Sequence, residues 1–252
     1  MIDIENVKKE FDKYVSNFNP SDKKIKLKID HIKRVAELSK KIAVNLELNE
    51  EQIRLAEVIG FFHDIGRFKQ IELYHTFKDK DSVNHAELGI KILYEDNLIK
   101  RFNIDSKYDN IIKLAVLNHN KNEIQEGLTD EEMLFAKIIR DADKLDIFYI
   151  ICDEEYEMKD IFWSNNFKCK KISDDVMKQF LDSKPVDYDK VKSNADQIVT
   201  FYAYVYNLYF DFSIKYLKES KYLNRFADRV NKTFKSDEIK KRVNILLEKI
   251  DV

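Results

Sequence analysis

Glycine and proline are nearly missing from this chain, with 4 of the first and 2 of the second in 252 residues. A β-sandwich or barrel must turn about every ten residues and draws on both residue types to do so, so their scarcity argues against an all-β architecture and favours helices. Cysteine is as rare. Cys152 and Cys169 lack the number and spacing of a disulfide framework or a zinc knuckle; they read as reduced thiols, which suits the cytosol. No stretch reaches the roughly 18 consecutive apolar residues of a membrane-spanning helix. The opening MIDIENVKKEFDKY has no apolar core of the kind an export signal needs. An excess of one charge is missing too: 44 basic against 46 acidic residues leave a formal net charge of −2, which gives no global pull toward nucleic acid or anionic lipid. These absences predict a cytoplasmic, all-α protein that does not engage a membrane and has no nucleic-acid partner.

What is present fits a globular chain. Hydrophobic residues make up 44% and charged residues 36%, and a chain of this size buries roughly three quarters of its unfolded surface on folding. Apolar residues recur at the helical period in residues 1–18 (Ile2, Ile4, Val7, Phe11, Val15, Phe18) and 26–46 (Ile29, Ile32, Val35, Ala36, Ile42, Ala43, Leu46). Asn19-Pro20-Ser21-Asp22 breaks the chain between them. Asn49 with Gln52, and Thr129 with Glu132, read as capping boxes. The first opens an apolar helix through Phe62 that stops near Gly66, and the second opens a helix through Leu145. Asn84 is placed to cap a helix over residues 85–98, and Ser106 begins one that ends at His119. Residues 67–84 read as a polar, irregular rim. The aromatics of residues 201–216 occupy more than one helical face, the mark of core packing or a homodimer interface rather than of base stacking. Residues 237–250 read as a closing helix.

Four of the 5 histidines stand at predicted helix starts or ends beside apolar residues: His31, His63, His85 and His119. A lone histidine on an apolar face needs only local hydrogen bonds, but four of them suggest a shared task. Imidazole and carboxylate form the donor set suited to iron, manganese, nickel, cobalt or zinc. Asp64, next to His63, can bridge two ions because a carboxylate has two oxygens where an imidazole offers one lone pair. Asp141, Asp143 and Asp146 fall late in the helix that follows Thr129, and helical spacing puts Asp143 and Asp146 on one side. Arg67, three residues after Asp64, offers a planar fork of donors for a phosphate oxygen. Lys121 and Lys144 are weaker candidates for that role, and His75 reads as a surface residue.

His31, the doublet His63-Asp64, and Asp143 within Arg140-Asp141-Ala142-Asp143-Lys144-Leu145-Asp146 resemble the HD-domain metal-dependent phosphohydrolases over residues 25–150. The resemblance implies a multi-helix bundle over residues 1–155. Residues 156–252 would then be a helical extension, packed on that core or forming an oligomer interface. It also implies that His31, His63, Asp64 and Asp143 hold a first divalent ion and that Asp64 bridges to a second, held by His85 and His119, with a metal-activated water as nucleophile. Relatives that bind two ions often carry a His-His pair where this chain has His119-Asn120, so one or two ions are compatible with the pattern. The implied activity is hydrolysis of a phosphate ester in a small, nucleotide-like substrate. The alternative is a sensor or interaction protein that binds metal and nucleotide without turnover.

Overall fold

The computed structural model describes residues 1–162, 164 and 166–250, with the side chain of Asp160 excepted. Every regular element among the described residues is helical, as the shortage of glycine and proline requires. The chain divides into two compact units, Met1–Asp143 and Lys144–Val252. The division lies inside a helix, where the sequence suggested a boundary at 155/156.

In the first unit, α1 (Ile4–Val15) buries Ile4, Val7, Phe11 and Val15, and α2 (Lys23–Asn45) buries His31, Ile32, Val35, Ala36, Ile42 and Ala43. The helix α3 (Glu50–Phe62) begins at the Asn49 capping box, in which Asn49 and Gln52 each accept from the other's backbone N–H. Its last eight residues are all buried, so it is the central element. It meets α2 almost backbone to backbone at Gly60, where an added Cβ would stand 2.4 Å from the Ala36 Cα. Phe11 of α1 closes over Phe61 of α3, with ring centroids 5.2 Å apart.

After α3 the chain turns through residues 63–65 and enters α4 (Gly66–Tyr74). This corrects two expectations. Residues 67–74 are helical, not irregular; only Phe68 and Ile71 give this nine-residue helix a buried apolar face, together with a buried Gln70, too short a period to read in a sequence. Gly66, expected to follow a helix, opens one instead. Its small size serves close packing: a Cβ there would lie 2.2 Å from the His85 carbonyl oxygen and 2.7 Å from the Gly89 nitrogen. The partner helix α5 (His85–Ile90) is capped by Asn84 as expected. It does not run on uniformly to Leu98, but widens into a π turn at Lys91–Glu95. Then come α6 (Ile99–Phe102), α7 (Asp109–His119) and α8 (Asp130–Cys152), the last entered through the reciprocal bonds of Thr129 and Glu132.

The second unit comprises the end of α8, then α9 (Met158–Ile161), α10 (Asp174–Leu181), α11 (Asn194–Ala203), α12 (Asp211–Ser220), α13 (Tyr222–Thr233) and α14 (Asp237–Ile250). Phe201 and Tyr202 are buried, and Phe201 meets Phe162 and Phe226 edge-on at 5.7 and 5.6 Å. Core packing therefore accounts for these two aromatics. Arg229 closes the C-terminus of α8 by donating to the carbonyls of Ile151, Asp153 and Tyr156. Cys152 and Cys169 are free thiols, and no described helix is long and apolar enough to cross a membrane.

The contact of α4 with α5 brings His85 toward the end of α3. Replacing Gly66 by alanine should force the two helices apart and lower the unfolding free energy in urea by about 1–3 kcal/mol; an unchanged midpoint would contradict so close an approach.

Candidate metal centre

Helix ends deliver most of the candidate ligands. His63 is the C-cap residue of α3, and Asp64 follows it in the turn into α4. His85 is the first residue of α5, where the Asn84 side chain accepts from the Ala86 N–H at 3.0 Å. His119 is the last residue of α7. His31 comes from within α2 and Asp143 from within α8. His31, His63, Asp64, His85 and His119 are all buried.

The six side chains converge, and Asp64 lies between two histidine pairs. Its Oδ2 is 3.5 Å from His31 Nε2 and 3.7 Å from His63 Nε2. Its Oδ1 is 3.2 Å from His85 Nε2 and 3.6 Å from His119 Nε2. Within the pairs, Nε2 stands 3.2 Å from Nε2 for His31 and His63, and 3.0 Å for His85 and His119. Asp143 joins the first pair, its Oδ1 lying 3.2 Å from His31 Nε2 and 3.7 Å from His63 Nε2. Asp141 and Asp146 are buried; the two groups whose donor atoms lie close enough together to hold an ion are His31 with His63 and Asp64, and Asp64 with His85 and His119, and Asp143 stands beside the first without being one of its three.

The protons on the rings follow from their other partners. His63 Nδ1 donates to the Gly60 carbonyl at 2.7 Å and His119 Nδ1 to the Val116 carbonyl at 2.6 Å. His85 Nδ1 donates to Asp79 Oδ2 at 2.7 Å. A neutral imidazole with its proton on Nδ1 presents a bare lone pair at Nε2. The bare Nε2 atoms of His85 and His119 thus face each other and Asp64 Oδ1, a buried oxygen that lacks any hydrogen-bond partner. Lone pairs so placed repel one another unless a cation lies among them. Donors each about 2.0–2.2 Å from one ion stand about 3.0–3.5 Å apart, so the spacing fits a divalent metal, as does the imidazole and carboxylate chemistry.

Burial alone would raise the Asp64 carboxyl, but the charges of Lys28 and Arg67 beside it hold it well below the usual carboxylate range. Asp143 is likewise held low against its burial, chiefly by a bond from His31. Burial lowers His63, and burial together with the Arg67 charge pushes His85 down to about 3.

Several residues here escaped the sequence reading. Lys28, one turn before His31 on α2, places its Nζ 2.5 Å from Asp64 Oδ2; the i,i+3 spacing was the available signal. Arg67 lies 3.4 Å from Asp64 Oδ1 through Nε, while its Nη1 donates to Gln70 Oε1, the Phe77 carbonyl and Asp79 Oδ1. The ring of Phe77 lies 5.4 Å from Lys28 Nζ and 5.6 Å from Arg67 Cζ. Asn120 donates to Asn84 Oδ1 at 3.0 Å. The buried Arg140 donates to the carbonyls of Asn118, Lys121 and Asn122, which secures the chain across the end of α7. Lys121 bonds Gln125 at the surface, and His75 is exposed at the left-handed end of α4.

The depressed His85 sets a pH dependence. Between its ordinary value of 6.5 and about 3, the unfolded chain takes up a proton that the folded chain refuses, so the contribution to stability is complete above 6.5 and lost as the pH falls. For metal-free protein, the unfolding free energy in urea should decline from neutral pH to about pH 4.5, and His85→Gln should decline less steeply. Equal slopes would contradict a buried neutral imidazole.

The HD-domain family model matches residues 29–147. No curated protein and no solved structure matches the chain. All six converging side chains lie inside the matched span, over which the chain is similar to an HD domain.

Proposed function

We propose that this protein is a cytoplasmic enzyme that hydrolyses a phosphate ester bond in a small, nucleotide-like substrate, using two divalent transition-metal ions. The observation that carries this reading is the arrangement of Asp64, each of whose oxygens faces its own pair of histidines. His31, His63, Asp64 and Asp143 would hold one ion, and Asp64, His85 and His119 the other. Iron, manganese, nickel, cobalt and zinc all suit these donors. The nucleotide-like substrate is what the HD-domain resemblance implies; the balanced overall charge favours a small phosphorylated molecule over a nucleic acid.

Bound divalent ions supply a water of lowered pKa and positive charge for the phosphoryl oxygens. The chain's own residues prepare the rest. His63 and His119 keep Nε2 free of protons by giving the Nδ1 proton to backbone carbonyls. Lys28, beside Asp64, adds a cation to the site, with donors that would orient an anionic phosphoryl group. Arg67 adds a second cation, and because Nη1 already serves three acceptors, its remaining donors are the ones left for a phosphate oxygen.

Elemental analysis of purified protein should find two ions per chain, and a nucleotide panel should release phosphate with the metal found. Asp64→Ala should lose metal and activity together while keeping a helical circular-dichroism spectrum; retained activity would refute the mechanism. Two bound ions with no turnover of any panel member would point instead to a sensor. Lys28→Met should keep both ions and lose about 10- to 100-fold in kcat/KM, the effect of removing one hydrogen bond to a charged group. An unchanged kcat/KM would remove Lys28 from the substrate site.

A further inference from the structure

The candidate ligands differ in how their rings are held. His63 and His119 end helices, and each gives its Nδ1 proton to a carbonyl three residues earlier in the same helix, Gly60 for one and Val116 for the other. Those carbonyls are in place as soon as the helix forms. His85 begins a helix, so no helical carbonyl lies upstream to orient it. Its Nδ1 reaches Asp79, six residues back in the segment between α4 and α5.

Asp79 is itself held firmly. Its Oδ1 accepts from Arg67 Nη1 at 3.0 Å and from Gln70 Nε2 at 2.9 Å. The fully buried Gln70 is also within bonding distance of Ser82 Oγ and the Val83 carbonyl through Nε2, and takes Arg67 Nη1 on its Oε1. Two side chains of α4 thus fix the carboxylate that fixes the ring at the start of α5.

On the two-ion reading above, we infer that Asp79 is the positioning residue of the second ion: by holding the proton of His85 on Nδ1 it keeps Nε2 open, so residues 75–84 govern the affinity of that ion and leave the first unaffected. Carboxylates that accept from ligand histidines fix both the tautomer and the ring orientation, and their loss typically weakens a metal about 10- to 100-fold.

The test compares wild type, Asp79→Ala and Asp79→Asn. In metal-free protein, the nitrogen shifts of His85 report its tautomer by NMR: wild type should carry the proton on Nδ1, and Asp79→Ala should populate Nε2–H. Titration with Co²⁺ against a competing chelator should give two ions in wild type. In Asp79→Ala one ion should bind unchanged and the other about 10- to 100-fold more weakly. Asp79→Asn keeps an oxygen acceptor and the side-chain size, so it should stay folded and lose less; it carries the test if the alanine variant does not fold. Wild-type affinity for both ions in Asp79→Ala and Asp79→Asn, or an equal loss at both, would overturn the inference while leaving the two-ion reading intact. Fewer than two ions in wild type would overturn the reading and the inference together.

Discussion

A buried carboxylate with a histidine pair at each oxygen is the constraint to which the first unit answers. Asp64 cannot keep its charge in an apolar interior without opposite charge or donors close by. Lys28 from α2 and Arg67 from α4 supply that charge from two directions. The backbone packing meets the same demand. Gly60 lets α2 lie against α3 so that His31 reaches His63, and Gly66 lets α5 lie against α4 so that His85 reaches Asp64. Two glycines of this glycine-poor chain are spent where a methyl group would separate the ligands.

Much of this was legible in the sequence, because helix termini have strong local signals. The capping boxes at Asn49 and Thr129, and the Asn84 cap, occur where side-chain spacing placed them. Three of the four histidines beside apolar residues, His63, His85 and His119, stand at buried helix ends as expected, whereas His31 lies inside α2 because that helix begins earlier, at Lys23. An aspartate directly after a histidine at such an end has two oxygens to share, and at Asp64 each faces a pair of histidines. The choice among Asp141, Asp143 and Asp146 rested on family pattern, and Asp143 is found at the His31 and His63 rings.

What escaped has physical causes. The helix α4 was missed because two buried apolar residues do not make a readable period and because Gly66 imitates a helix stop. Lys28 looks like any exposed lysine on an amphipathic helix until the chain folds Asp64 against it. Asp79 and Gln70 act through a segment with no regular structure of its own beyond a short 3₁₀ turn, so no periodicity points to them. The aromatics of residues 201–216 were ambiguous because they span the end of α11, a 3₁₀ turn and the start of α12, so no single helical stripe joins them.

The guanidinium of Arg140 gathers three carbonyls across the end of α7, those of Asn118, Lys121 and Asn122. It thereby fixes the end of the helix that carries His119 without touching that ring. With His63 and His119 also tied to their own backbones, the conformational entropy of these donors is given up when the chain folds rather than when an ion arrives. A centre so preorganised would adapt little to an ion, and choice among ions would then fall to size and preferred coordination geometry against a fixed set of nitrogens and oxygens.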